Sequence, residues 1–323
     1  MPAESDDKLH FRKQKTYFMF IYPGCNFRCK FCLAEDVMKD AAPLSWEGLI
    51  GDLDRLKNEG YVNIDITGGE PTLYARLPDL IAEILKRGMN PMIGTNGAML
   101  CAIDRVKAYA RHHPLGIELS FHSHRPEVFD EVTQIKGSFK KVVKTIDVLQ
   151  DHFSFYPQGT DPREFLAANI IIAKHNYKDI EKIMLFLHGR GIRIFRFSQL
   201  LLKGAALREH GMLISARKMV PYLQKALKTA KKLGISYAID RLPLCILPGE
   251  EENFISWTIP GIKMNFCQDC KLSPRCGGIT KAQLIAEYGT QLLSWQFLFP
   301  KNFFTEQDIA FLDEQLLRSA NKA

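Results

Sequence analysis

From Tyr17 to Ser198, short apolar runs alternate with amphipathic stretches, and this alternation limits the possible folds more than any other feature of the chain. The runs Tyr17–Tyr22, Val62–Thr67, Asn90–Thr95, Gly116–His122, Phe165–Ile172 and Ile192–Ser198 have the length and residue types of strands. Helical stripes lie between them. Leu49, Ile50, Leu53 and Leu56 follow Ser45, a natural N-cap, and stop at Gly60; Leu77, Leu80, Ile81, Ile84 and Leu85 stop at Gly88. Phe139, Val142, Val143, Ile146 and Leu149 form a third stripe, and Ile180, Ile183, Met184 and Leu187 a fourth. Repeated strand–helix units predict an α/β fold with parallel strands, here a partial (β/α)6 barrel two units short of closure. Such a barrel keeps a wide lateral opening, suited to a bulky substrate.

After about Gly234 the alternation stops, and the remaining segment carries four cysteines, several prolines and glycines and the aromatic stretch WQFLFPKNFF. The expected division is a barrel core over residues 1–234 and a small C-terminal domain over 235–323. Thr305 and Asp308 read as a capping box for a last helix with Ile309, Leu312 and Leu316 inward. No apolar run approaches the roughly 18 residues of a membrane span, and the charged N-terminus lacks the apolar centre of a secretory signal. A cytoplasmic protein without a membrane partner is expected. In that compartment the 8 cysteines point to metal ligands rather than disulfides. Cys101 stands apart from the others and reads as a small core residue. The net charge of +7 is spread along the chain. Its densest run, Arg217 to Lys232, interleaves lysines with the stripe Val220, Leu223, Leu227 and Ala230, which describes a solvated helix face; nucleic acid is not expected as a partner.

The segment YPGCNFRCKFC places Cys25, Cys29 and Cys32 in a C-x3-C-x2-C array directly after the first strand, on the face where barrel enzymes do their chemistry. A [4Fe–4S] cluster normally takes four ligands, so three thiolates leave one iron open, as a catalytic metal site requires. A structural zinc site would need a fourth ligand, and no histidine lies nearby. The array resembles the signature of the radical S-adenosylmethionine (SAM) superfamily, with Phe31 in its aromatic slot. The resemblance spans about Tyr17 to Ser198. It implies that the open iron is chelated by the amino and carboxylate groups of SAM and that Phe31 lies near the adenine.

Other segments extend the resemblance. Gly68-Gly69-Glu70-Pro71, at the end of the second strand, is similar to the family's GGE motif; independently of it, glycines admit a close ligand and a carboxylate suits an ammonium group. Thr95 and Asn96, followed by Gly97, resemble the third-strand element beside SAM. Ser120 matches a serine that reaches the SAM ribose in many members. The acidic residue usual after it is replaced by His122, which makes His122, Ser123 and His124 candidates for the substrate side of the pocket. Their alternative reading is ordinary loop polarity. The fifth strand, AANIIIAKHN, departs from the family's glycine-containing adenine motif, so Asn169 alone is carried over there. Arg196, on the sixth strand, is a candidate contact for the SAM carboxylate, or else a satisfied polar residue at a strand end.

Cys267, Cys270 and Cys276 form a C-x2-C-x5-C array, and Cys245 precedes it. Four thiolates suffice for one fully ligated metal site. The arrangement is similar to the auxiliary-cluster domains called SPASM and twitch. The position where the full SPASM pattern has its next cysteine is Thr280, so a twitch-like domain with one auxiliary cluster is expected. A structural zinc knuckle is the alternative. A second alternative detaches Cys245 from the cluster as a hydrogen-atom donor. The expected cofactors are therefore SAM and two [4Fe–4S] clusters, one catalytic and one auxiliary, with an electron donor such as flavodoxin or ferredoxin. The resemblance implies reductive cleavage of SAM to a 5′-deoxyadenosyl radical that abstracts a hydrogen atom from a substrate. The expected substrate is a ribosomal peptide, or else a small metabolite such as a sugar or nucleoside. With only about sixteen residues before Tyr17, a fused leader-peptide recognition domain is not expected. RNA modification, and a non-catalytic metal-stabilised binding protein, are the remaining readings.

Overall fold

The structure, a computed structural model, describes residues 14–42, 44–110, 112, 115–151, 166–255, 261–264, 267–289, 292, 306 and 309–310. In chain order its elements are strand β1 (Thr16–Tyr22), helices α1 (Glu35–Asp40) and α2 (Trp46–Asn58), β2 (Asn63–Gly68), α3 (Leu77–Lys86), β3 (Asn90–Thr95), α4 (Ile103–Ala110) and β4 (Gly116–Ser120). Helices α5 (Pro126–Thr133) and α6 (Ser138–Asp151) lead to β5 (Leu166–Ile172), then α7 (Ile180–His188), β6 (Ile194–Gln199), α8 (Ala216–Lys232), β7 (Ser236–Asp240), β8 (Phe254–Ile255) and α9 (Lys281–Tyr288). The strands form one sheet in the order β1 to β8, every neighbouring pair parallel.

Helix boundaries follow local chemistry. The Ser45 hydroxyl accepts from the Gly48 amide at 3.1 Å and opens α2. Gly60 and Gly88, at φ +79° and +66°, close α2 and α3. Helix α8 buries Met219, Leu223, Ala226, Leu227 and Ala230 and leaves its lysines outside, as a solvated face should.

Strand periodicity sorts the residues of the sheet into two faces. Ile64, Ile66, Ile93, Ile117, Leu119, Ala168, Ile170, Ile172, Phe195, Phe197 and Ile239 join one core with the apolar stripes of α2, α3, α6, α7 and α8. The opposite parity carries the polar residues: Thr67, Glu118, Ser120, Asn169 and Arg196 all border a single cavity. A sheet whose successive strands touch one cavity is curled around it, and the expected open α/β barrel is the fold.

The sheet runs further than the six expected strands. β7 pairs with β6 from Ile194↔Ser236 to Ser198↔Asp240, and β8 pairs with β7 through Ile239↔Phe254 and Asp240↔Ile255. Five residues ending at an aspartate, and two more, are too short for a periodic signal; pairing to an existing edge defines them. Both strands lie beyond residue 234, so the chain continues the sheet before it reaches the last three cysteines. The aromatic stretch around Trp295 and the Thr305–Asp308 capping box lie outside the described residues. Among the described residues, no helix is long and apolar enough to cross a membrane.

Candidate active site

The loop after β1 carries Cys25, Cys29 and Cys32, all half-buried. They border a cavity of about 720 Å³. Backbone bonds pin this loop from two sides. Arg28 and Lys30 donate to the carbonyls of Thr133 and Val132 at the end of α5, at 3.1 and 2.9 Å; Ala205, after β6, donates to the Cys32 carbonyl at 2.8 Å. Gly204 makes that second approach possible: it sits at φ +56°, and a Cβ there would lie 2.3 Å from the Cys32 oxygen. The Phe27 amide donates to Cys25 Sγ at 3.4 Å and Asn96 Nδ2 lies 3.9 Å from it, so this sulfur already faces donors that favour a thiolate.

The three thiols also feel one another. Burial pushes Cys25 up to about 11, with Glu70 and Cys32 adding to the rise. Burial pushes Cys29 up further, and Cys25 and Cys32 come next among its causes. Burial likewise raises Cys32. Bound iron reverses this preference, because a coordinating thiol is deprotonated outright. The donor set fits an iron–sulfur cluster, whose irons are held by cysteine thiolates. Among the described residues, no three His, Cys, Asp or Glu side chains are grouped as ligands around a single metal ion.

Beside the thiols, the Gly68–Gly69 step lies against backbone. A Cβ on Gly68 would sit 2.4 Å from the Tyr22 oxygen, and one on Gly69 2.3 Å from the Gly24 oxygen. Gly69 donates to the Tyr22 carbonyl at 2.7 Å and Glu70 to that of Gly24 at 2.8 Å, stitching the two loops together. The Glu70 carboxylate is buried. Its Oε1 accepts from the Thr72 amide at 3.1 Å, from the Thr72 hydroxyl and from Thr95 Oγ1 at 2.6 Å, and its Oε2 from the Asn96 amide at 2.7 Å. Burial raises its pKa and these donors oppose the rise. Asn96 bridges to the cysteine loop through Asn26 Oδ1 at 2.7 Å.

The wall formed by β4 to β7 is an ion-paired layer. Register places Ser120 beside Asn169 and Asn169 beside Arg196. Arg196 is paired with Glu118, and its Nη1 lies 3.9 Å from Asp240 Oδ2. The Ser198 hydroxyl faces Asn169 Oδ1 at 3.0 Å and Asp240 Oδ2 at 3.4 Å. Arg196 is thus committed to protein carboxylates as well as bordering the cavity.

His122 borders the cavity, whereas Ser123 and His124 do not. Ser123 Oγ accepts from the Arg125 amide at 3.0 Å, a local bond at the entry to α5. His122 Nδ1 accepts from the Ile171 amide at 3.2 Å, and burial, then His175, pushes the ring's pKa down to about 3; it stays neutral with its proton on Nε2. Phe31 packs edge-on to His122 at 4.6 Å and parallel to His175 at 6.2 Å. Sequence reasoning passed over Glu118, His175, Asp240 and Arg241. Alternation with Ser120 could have found Glu118; the other three gave no signal.

Cys245 stands on the turn after β7. Burial raises its pKa, and Cys276, Cys267 and Cys270 add to the rise, so those thiols stand within electrostatic reach of it. The loop carrying the last three is closed by the Ile262↔Ile279 bridge, with reciprocal bonds of 2.8 and 2.9 Å. Cys101, read as a core residue, is half-buried and donates to the Ala98 carbonyl at 3.2 Å.

A family model described as the radical SAM superfamily matches residues 19–187. The chain is 29% identical over 133 residues to the antilisterial bacteriocin subtilosin biosynthesis protein AlbA of Bacillus subtilis, covering 41% of this chain and 29% of AlbA. It is 30% identical over 175 residues to a probable GTP 3′,8-cyclase of Metallosphaera sedula, covering 52% and 50%. The chain thus spans half or less of the length of these two relatives. Among solved structures, native anSMEcpe with bound AdoMet and the Cp18Cys peptide superposes with a TM-score of 0.59 at 13% identity, covering 95% of this chain and 99% of that one; this is a likeness of fold.

Proposed function

The chain belongs to the radical SAM superfamily, and on that premise we propose that it modifies a peptide by abstracting a hydrogen atom from it. It is an enzyme of SAM and a [4Fe–4S] cluster. The observation that carries the reading is the meeting of Cys25, Cys29 and Cys32 with Gly68, Gly69, Glu70, Thr95 and Asn96 on one cavity. When bound and reduced, the cluster supplies the electron that splits SAM into methionine and a 5′-deoxyadenosyl radical.

The chain's own residues would bind and orient. Cys25, Cys29 and Cys32 hold the cluster. Glu70 and the neighbouring loop carbonyls face the SAM ammonium. Thr95 and Asn96 hold Glu70 in place. Ser120 and Asn169 line the ribose and adenine side, with Phe31 beside the adenine. Neutral His122 adds a donor at Nε2 without adding charge. Phe27, Phe31 and Ile171 keep water from the reacting atoms. The cavity is near the upper end of the roughly 300–1,000 Å³ usual for ligand pockets, which leaves space beside SAM for one substrate side chain.

The segment 235–323 is proposed to hold an auxiliary [4Fe–4S] cluster on Cys245, Cys267, Cys270 and Cys276, built onto the sheet's last strands. Flavodoxin or ferredoxin is the proposed electron donor, in the cytoplasm. A peptide substrate is supported by the likeness to AlbA, named for bacteriocin biosynthesis, and to anSMEcpe, solved with a peptide. A small metabolite such as a nucleoside is the second reading, supported by the likeness to the probable GTP cyclase.

The test is anaerobic reconstitution with SAM and dithionite. Wild type should form 5′-deoxyadenosine, and Cys25→Ala, Cys29→Ala and Cys32→Ala should each abolish it. Undiminished product from any of the three refutes the assignment. Stimulation of product by nucleotides and not by peptides would favour the second reading.

A further inference from the structure

Arg241 follows β7 at φ +64°, a left-handed conformation that is strained for a non-glycine residue and persists only where the surroundings impose it. Its side chain is 12% exposed and borders the same cavity as the cysteine array. Nε lies 3.3 Å from Asp240 Oδ2, yet neither Nε nor Nη1 makes a hydrogen bond. Arg196, on the adjoining strand, pairs with Glu118, and its Nε is also unmatched. Two buried guanidiniums therefore present unused N–H groups at one wall. A buried donor without an acceptor is costly, more so when charged, so this wall is built for something that arrives with acceptors. Burial also disfavours the Arg241 cation, which an incoming anion would relieve.

We propose that Arg241, with Arg196 beside it, binds a carboxylate of the substrate. This rests on the proposed placement of SAM along the ends of β1 to β5, where the three thiols, Glu70, Asn96, Ser120 and Asn169 stand. Arg241 stands beyond them, after β7 on the same cavity, and leads into the turn that carries Cys245. A carboxylate fits better than a phosphate dianion. Within the layer, Glu118 and Asp240 already lie beside Arg196 and Arg241. A dianion would be repelled by these two buried carboxylates more strongly than a monoanion. The carboxylate can come from an acidic residue of a peptide or from a small acid.

The test uses the reconstituted, SAM-loaded enzyme and three probes followed by ligand-observed NMR: N-acetylglycine, its amide N-acetylglycinamide, and inorganic phosphate. N-acetylglycine should bind and the amide should not. Arg241→Gln should lose roughly ten- to a hundredfold in N-acetylglycine affinity, as removal of a charge-assisted contact implies, while the dissociation constant for SAM is unchanged. Arg241→Lys keeps the charge without the planar fork and should fall between the two; it also serves if Arg241→Gln does not fold. Equal affinity in wild type and either variant, tighter binding of phosphate than of N-acetylglycine, no binding of any probe, or a weakened SAM constant in Arg241→Gln would each overturn the proposal. The last would give the guanidinium to SAM's own carboxylate. Formation of 5′-deoxyadenosine by wild type is measured in parallel. Its absence would count against the proposed function and leave the carboxylate result to stand or fall alone.

Discussion

At the scale of single residues, Glu70 has a proposed role and a visible one. Its proposed pairing with the SAM ammonium is suggested by the Gly-Gly-Glu motif. The structure adds that the same carboxylate receives the Thr72, Thr95 and Asn96 donors and so ties the end of β2 to the end of β3. Glu70→Ala should therefore weaken SAM binding by roughly ten- to a hundredfold and also lower stability, because the buried donors lose their acceptor. Glu70→Gln should be milder in stability than in affinity. It keeps one oxygen for Thr72 and Thr95 but turns an NH2 group against the Asn96 amide. Titration calorimetry with SAM and thermal melting separate the two effects. An unchanged SAM constant in both variants would leave Glu70 a purely structural residue. Ser123 shows the limit of reading at this scale. A serine beside His122 looks like pocket chemistry, but its hydroxyl is used by the Arg125 amide.

At the scale of elements, the cysteine loop is held in a clamp. The end of β2 closes on it through Gly68 and Gly69, the end of α5 through Thr133 and Val132, and the segment after β6 through Gly204 and Ala205. Three separate connections thus fix the backbone that carries the three thiols, as a rigid scaffold does for a metal site. Gly204→Ala should break one jaw, since its Cβ would meet the Cys32 oxygen and its backbone would be strained by about 1–3 kcal/mol. The expected result is a catalytic cluster that is more easily lost, read as a lower iron content after gel filtration and an altered absorbance band, with the fold retained by circular dichroism. Wild-type iron retention would show that the segment after β6 does not support the loop.

For the whole molecule, the prediction is about eight irons per chain after anaerobic reconstitution, as two [4Fe–4S] clusters. Cys245→Ala tests the second cluster. If Cys245 is a ligand, iron should fall towards about four, SAM cleavage should persist uncoupled, and turnover of the true substrate should fail. Native iron and an unaltered auxiliary spectrum in that variant would make Cys245 a hydrogen donor instead, and about four irons with one zinc in wild type would point to a zinc knuckle. What the sequence alone determined is whatever is local or periodic: the spacing of Cys25, Cys29 and Cys32, the glycines and Glu70 at the end of β2, and the first six strands with their helical stripes. These are legible because each is written within a few consecutive residues or in a period of two or near four. Only the tertiary structure decided the rest. β7 and β8 exist because β6 offers an edge to pair with. Arg196 meets Glu118 across 78 positions because parallel strands bring the same lumen face together. Arg241 turns left-handed, and Cys245 comes within electrostatic reach of Cys267, Cys270 and Cys276, through the packing of segments distant in the chain. Pairings of that kind have no period, so nothing in the order of residues announces them.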